Sequence, residues 1–201
     1  MIKNVIFDYG NTIVEYFPEE IVKSFGITNK EDIDTLKVLF DRKYWDLLDK
    51  GEITIEEYKN DVLEKIPERL KKASEDMILR WYHNLPLIDG VEDLIKKLKD
   101  DGFKLYILSN ISQDFIDDKD RFEIFKYFDG CVFSAEMKMV KPDRKIYEHL
   151  LKTFNLKAEE CVFLDDKEEN IESAKKCGID GFVFKSNPKE AEEYIYKKNE
   201  L

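Results

Sequence analysis

Five short runs of consecutive apolar residues punctuate the chain: Val5-Ile6-Phe7, Leu105-Tyr106-Ile107-Leu108, Cys131-Val132-Phe133, Cys161-Val162-Phe163-Leu164 and Phe182-Val183-Phe184. A strand buried on both faces of a parallel sheet shows no polar alternation, so each run predicts such a strand. Amphipathic segments lie between them. Val91, Leu94, Ile95 and Leu98 share one helical face. Ile146, Leu150 and Leu151 form a similar stripe, in a helix that Pro142 is predicted to open at its first turn. The alternation predicts a doubly wound α/β core built on a parallel sheet.

Residues 15–86 break that alternation and show only helical patterns. Ile33, Leu36, Phe40, Tyr44, Leu47 and Leu48 recur at helical spacing, predicting a helix from Glu31 to Asp49. Thr54-Ile55-Glu56-Glu57 reads as a capping box that starts the next helix. Pro67 opens another, running toward His83. The reading divides the chain into an α/β core of residues 1–14 and 87–201 and an all-helical insert of residues 15–86.

Length adds that 201 residues suffice to bury roughly 70% of the surface an unfolded chain exposes. Charge narrows the partners. With 33 basic and 44 acidic residues the chain carries a formal charge of −11, which speaks against nucleic acid and anionic membranes. No apolar run approaches the ~20 residues of a membrane span. Asp8 interrupts the N-terminal apolar run too early for a secretory leader. Cys131, Cys161 and Cys177 are odd in number and widely spaced, so neither a disulfide framework nor a zinc site is expected. Cys131 and Cys161 read as buried thiols of a reduced, cytoplasmic protein. His83 and His149 have no partner at metal-ligand spacing and read as surface or capping residues. The tail Tyr196-Lys197-Lys198-Asn199-Glu200 reads as a frayed, solvated helix end.

The chemistry lies at the strand ends, because open α/β sheets bind ligands beyond the C-terminal ends of their strands. Asp8 follows the first run, Ser109 and Asn110 the second, and Asp165 and Asp166 the fourth; the loop after the third reaches Lys141. Three carboxylates, a hydroxyl, an amide and an ammonium thus converge on one rim. Carboxylate oxygens suit Mg²⁺, and Lys141 with the metal would offset the charge of a bound phosphate.

These residues carry a resemblance. Ile6-Phe7-Asp8-Tyr9-Gly10-Asn11-Thr12, Leu108-Ser109-Asn110, Val140-Lys141-Pro142-Asp143 and Phe163-Leu164-Asp165-Asp166 with Asn170 resemble, in order, the four motifs of the haloacid dehalogenase-like hydrolases. The resemblance spans essentially the whole chain. It implies a Rossmann-like core with a small helical cap, an aspartyl-phosphate mechanism with Asp8 as nucleophile, and a small phosphate ester as substrate. It also implies Mg²⁺ held by Asp8, the Gly10 carbonyl and a fourth-motif carboxylate. Asp166 is favoured as that ligand, with Asp165 acting through water or by orienting a ligand. Ser109, the Asn110 backbone N–H and Lys141 are implied to hold the phosphoryl oxygens.

One position departs from the pattern. Family phosphatases carry a second Asp two residues after the nucleophile, as general acid–base; here that position is Gly10. The form Asp-x-Gly-Asn resembles a subgroup that includes phosphatases of glucose 1-phosphate and related sugar phosphates, whose anomeric oxygen leaves readily. Two alternatives stay open: a 2-haloacid dehalogenase, which needs no acid, and a non-catalytic phosphometabolite-binding regulator. A phosphatase whose acid comes from the cap or from water is a further form of the first reading. The cap residues Tyr16, Phe17, Tyr44 and Trp45 are candidates for specificity, although Tyr44 and Trp45 read first as cap core, on the apolar stripe of their own helix. Oligomeric state is left open by the sequence, a monomer being compatible with it.

Overall fold

A computed structural model describes residues 1–199. Strands β1 (Asn4–Phe7), β2 (Lys104–Ser109), β3 (Gly130–Phe133), β4 (Cys161–Asp165) and β5 (Asp180–Val183) form one sheet in the order β3-β2-β1-β4-β5. Every pairing is parallel. The apolar runs form strands because both faces are covered. Val5, Phe7, Leu105, Ile107, Val162 and Leu164 enter one hydrophobic layer. Ile6, Tyr106, Leu108, Cys161 and Phe163 enter the other. That is the period-2 alternation of a pleated strand.

Five helices follow β1: α1 (Pro18–Ser24), α2 (Lys30–Leu36), α3 (Arg42–Asp49), α4 (Ile55–Leu63) and α5 (Glu68–Arg80). Six more accompany the sheet: α6 (Val91–Asp100), α7 (Gln113–Asp118), α8 (Ser134–Met137), α9 (Arg144–Thr153), α10 (Glu168–Lys176) and α11 (Pro188–Lys197). α6, α7 and α11 pack on the first layer, α9 and α10 on the second. The helices between β1 and α6 have a hydrophobic cluster of their own, including Val22, Leu36, Leu48, Tyr58, Val62 and Met77. Among the described residues no helix is long and apolar enough to cross a membrane.

The structure corrects several expectations. The single helix from Glu31 to Asp49 is broken into α2, a 3-10 turn at Lys37–Phe40, and α3. Asp41 ends the run: its backbone is extended and its carboxylate caps α3 by accepting from Lys43 N. Leu39 C=O turns instead to side chains, accepting from Trp45 Nε1 at 2.8 Å and Tyr58 OH at 2.6 Å. Pro142 lies before its helix rather than inside it, because Asp143 is the cap and accepts from Lys145 N. The capping box at Thr54 and Glu57 forms as expected.

The C-terminal tail is docked rather than frayed. Asn199 Oδ1 accepts from Ile2 N at 2.7 Å, Lys198 pairs with Asp180 at 2.8 Å, and Tyr196 OH donates to Asp101. Glu200 lies outside the described residues. Cys161 is buried and Cys131 half-buried, and all three cysteines are free.

Candidate active site

The central position of β1 decides where the site forms. Phe7 is in register with Ile107 of β2 and Leu164 of β4, so Asp8 emerges level with Asp165 and one residue short of Ser109. Chain direction diverges to β2 on one side and β4 on the other, which opens a crevice at the strand ends. A cavity of about 850 Å³ lies there, lined by Asp8, Gly10, Ser109, Asn110, Lys141 and Asp166 among others.

Asp8 Oδ1 takes two bonds. Ser109 Oγ donates to it at 2.8 Å and the Lys141 ammonium lies 2.7 Å away. Lys141 also lies 2.7 Å from Asp165 Oδ2, and its side chain is 1% exposed. Burial alone would depress the ammonium. The carboxylates of Asp165 and Asp8 overcome that and hold it above the ordinary lysine value.

Asp165 and Asp166 are adjacent in sequence but differ in setting. Asp165 is fully buried, and both its oxygens are engaged by Asn170 Nδ2 at 2.9 Å. Lys167 N donates to it as well, at 2.8 Å. Asp166 is half-buried and faces the cavity. Burial raises the Asp166 carboxyl above the usual range, and the Asp8 charge adds to the rise. Oxygens of Asp8, Asp165 and Asp166 lie within 4.8 Å of one another. Three carboxylates against one ammonium leave an excess of negative charge in a poorly solvated place. An all-oxygen set with that excess fits a hard divalent cation such as Mg²⁺.

The helices after β1 form the opposite wall. Arg42, Trp45, Asp46 and Asp49 of α3 all line the cavity. Their i, i+3, i+4, i+7 spacing is one helical face. Trp45 stacks on Phe40 with centroids 5.9 Å apart and meets Trp81 edge-on at 4.6 Å. Tyr16 approaches Trp45 at 6.1 Å. Tyr16 and Trp45 thus reach the site, whereas Tyr44 packs with the cluster of the helices between β1 and α6 and Phe17 is exposed. Burial pushes the Asp49 carboxyl up to about 7; Asp46 and Asp8 add to the rise, and Lys167 and Lys141 oppose it. His83 bonds Asp118 at 3.0 Å at the end of α5, and His149 bonds Thr153 at 3.2 Å; neither lines the cavity.

Asp49, Arg42, Phe40 and Trp81 escape a reading of motifs. The signal for the first two was present as the polar face of α3, hidden by the expectation of one long helix.

A family model described as a haloacid dehalogenase-like hydrolase matches residues 2–178. A sesquiterpene phosphatase of Aspergillus oryzae is 25% identical over 183 residues, 89% of this chain and 88% of that one. A D-ribitol-5-phosphate phosphatase of Bacteroides thetaiotaomicron is 24% identical over 195 residues, 90% of this chain and 91% of that one. Among solved structures, a HAD family enzyme of Bacteroides thetaiotaomicron, in complex with magnesium and inorganic phosphate, is 24% identical. It superposes with a TM-score of 0.71 over 93% of this chain and 96% of that one.

Proposed function

We propose a phosphatase activity for this chain, which belongs to the haloacid dehalogenase-like hydrolase family. The substrates are small phosphorylated metabolites, sugar phosphates foremost, and the enzyme depends on Mg²⁺. One observation carries the reading. A strand-end carboxylate, Asp8, is held at one oxygen by Ser109 and Lys141, 2.8 and 2.7 Å away, inside a cavity large enough for a small ester. Phosphatase relatives spanning about nine-tenths of the chain support it.

With Oδ1 occupied, Oδ2 of Asp8 is the oxygen turned to nucleophilic work. It attacks phosphorus, the ester oxygen leaves, and water then releases phosphate from Asp8. Lys141, Ser109 Oγ and the Asn110 N–H hold the phosphoryl oxygens as charge redistributes. Asp8, the Gly10 carbonyl and Asp166 would hold Mg²⁺; Asp165, saturated by Lys141, Asn170 and Lys167, orients Lys141 instead. When bound, the metal supplies positive charge against the phosphoryl oxygens.

The test is release of inorganic phosphate from a panel of sugar phosphates, glucose 1-phosphate included, with Mg²⁺ and with EDTA. Mg²⁺-dependent release that Asp8→Ala abolishes is the expected result. Halide release from 2-haloacids in EDTA, with no phosphate from any ester, would overturn it in favour of a dehalogenase. The convergence of Asp166 on Asp8 weighs against that outcome, since halide displacement has no use for a second carboxylate there.

A further inference from the structure

Gly10 leaves the proposed reaction without the acid that protonates the leaving oxygen, and the wall opposite Asp8 carries an unused carboxyl. We propose that Asp49, the last residue of α3, is the general acid–base of this enzyme; the proposal rests on the phosphatase reading above.

Three observations place Asp49 there. It lines the same cavity as Asp8 and Gly10, on the helix face that also presents Trp45. Trp45, one turn earlier, lies 6.1 Å from Tyr16, ring to ring. A Cβ built on Gly10 would lie 3.9 Å from Tyr16 Cβ. Tyr16, which lines the same cavity, therefore borders both the Gly10 position and the α3 face that carries Trp45 and Asp49.

Second, the end of α3 is seated on the core. Gly51 has φ +61°, and any Cβ there would lie 2.7 Å from Ala135 C=O in α8. Only glycine permits that approach. The chain thus passes close against α8 two residues after Asp49, where Gly51 N also closes the helix on Leu48 C=O at 2.9 Å.

Third, the carboxyl is poised to hold a proton. Burial is the main cause of its rise to about 7, and no hydrogen bond contributes. The negative end of the α3 dipole disfavours the carboxylate further. A group near the working pH is the efficient choice for both halves of a proton relay.

The reaction balances with this residue alone. As Asp8 Oδ2 forms its bond to phosphorus, the bond from phosphorus to the ester oxygen breaks and its electron pair stays on that oxygen. The Asp49 proton passes to it, giving a neutral alcohol, the Asp8 acyl phosphate and an Asp49 carboxylate. Water then attacks phosphorus, gives a proton to Asp49, and the bond between phosphorus and Asp8 breaks. Phosphate leaves, and both residues return to their starting states.

The experiment compares single-turnover alcohol release, which reads the first step alone, from p-nitrophenyl phosphate and from alkyl phosphates. Nitrophenolate leaves without a proton; an alkoxide does not. Asp49→Asn should lose about 10²–10⁴-fold on alkyl phosphates and under about tenfold on p-nitrophenyl phosphate. Asp49→Glu, which keeps a carboxyl, should retain more alkyl-phosphate turnover than Asp49→Asn. Competitive inhibition by inorganic phosphate should be unchanged in both. Equal losses on the two ester classes, no loss on either, or weakened phosphate inhibition would overturn the assignment. Failure of the unsubstituted protein to release phosphate from any ester would instead remove the phosphatase reading beneath it.

Discussion

Asn110 and Lys141 hold each other by two reciprocal hydrogen bonds: Lys141 N donates to Asn110 Oδ1 at 2.8 Å, and Asn110 Nδ2 donates to Lys141 C=O at 3.0 Å. The Asn110 side chain is thereby spent on fixing the loop that delivers the ammonium, which leaves its backbone N–H for phosphate. Asn110→Ala removes both bonds. It should destabilise the protein by ~1–3 kcal/mol in urea titration and lower kcat by about 10–100-fold, the usual cost of losing an orienting partner.

Lys141 sits between Asp8 and Asp165 with both contacts at 2.7 Å. Lys141→Met keeps the volume and leaves two facing carboxylates in a buried place. A loss of ~3–5 kcal/mol in urea titration at neutral pH is expected, together with loss of phosphate release. The deficit should shrink on acidification, as one carboxyl takes up a proton.

Asp49 should destabilise the fold at neutral pH. Its carboxyl is raised from 3.8 to about 7, so the folded state holds the proton while the unfolded chain releases it. Stability is therefore lost as pH rises from about 4 to about 7 and is constant above that. Asparagine has no proton to release. Asp49→Asn should match the unsubstituted protein near pH 4 and exceed it above pH 7 in thermal melts without added metal. The full shift corresponds to about 4 kcal/mol; partial exposure of the residue brings the expectation to about 2 kcal/mol. A residue whose removal stabilises the fold and slows the reaction is what a working acid in a poor solvent looks like.

Gly10 has room for a side chain, since an added Cβ meets only Tyr16 Cβ at 3.9 Å, an ordinary contact. Gly10→Asp should fold normally. In an Asp49→Asn background it should recover at least about tenfold of alkyl-phosphate turnover, read by phosphate release.

Trp45 lines the cavity on the α3 side, while the proposed phosphoryl contacts come from residues of the α/β core, so the alcohol portion of the ester is assigned to the Trp45 side. Trp45→Ala should raise KM by about tenfold, the value of one lost aromatic contact. Inhibition by inorganic phosphate should move by less than about twofold.

The α/β core was legible in the sequence because its signals are local. Short continuous apolar runs bounded by turn residues favour strands buried in a parallel sheet, and Asp8, Ser109 and Asp165 each follow such a run directly. The Thr54 capping box was legible for the same reason, both partners lying within one helical turn. The break at Asp41 was not. Ile33 to Leu48 keep a helical period through it, and what favours the break is a carbonyl bonded by Trp45 and by Tyr58, 19 residues downstream.

By itself, then, the amino-acid sequence determined the strands, the residues at their ends and the family motif that lacks its second aspartate. Those properties depend on side-chain period and on neighbours along the chain. Only the tertiary structure decided which carboxylate Asn170 holds, that the tail docks through Asn199 on Ile2, and that Asp49 and Asp8 line one cavity. Each of these brings together residues far apart along the chain or chooses between neighbours, and register and close packing make the choice. Gly51 ends α3 by a local rule, its N–H bonding back to Leu48 C=O at 2.9 Å, whereas its close approach to Ala135 of α8 is a tertiary fact that no local pattern announces.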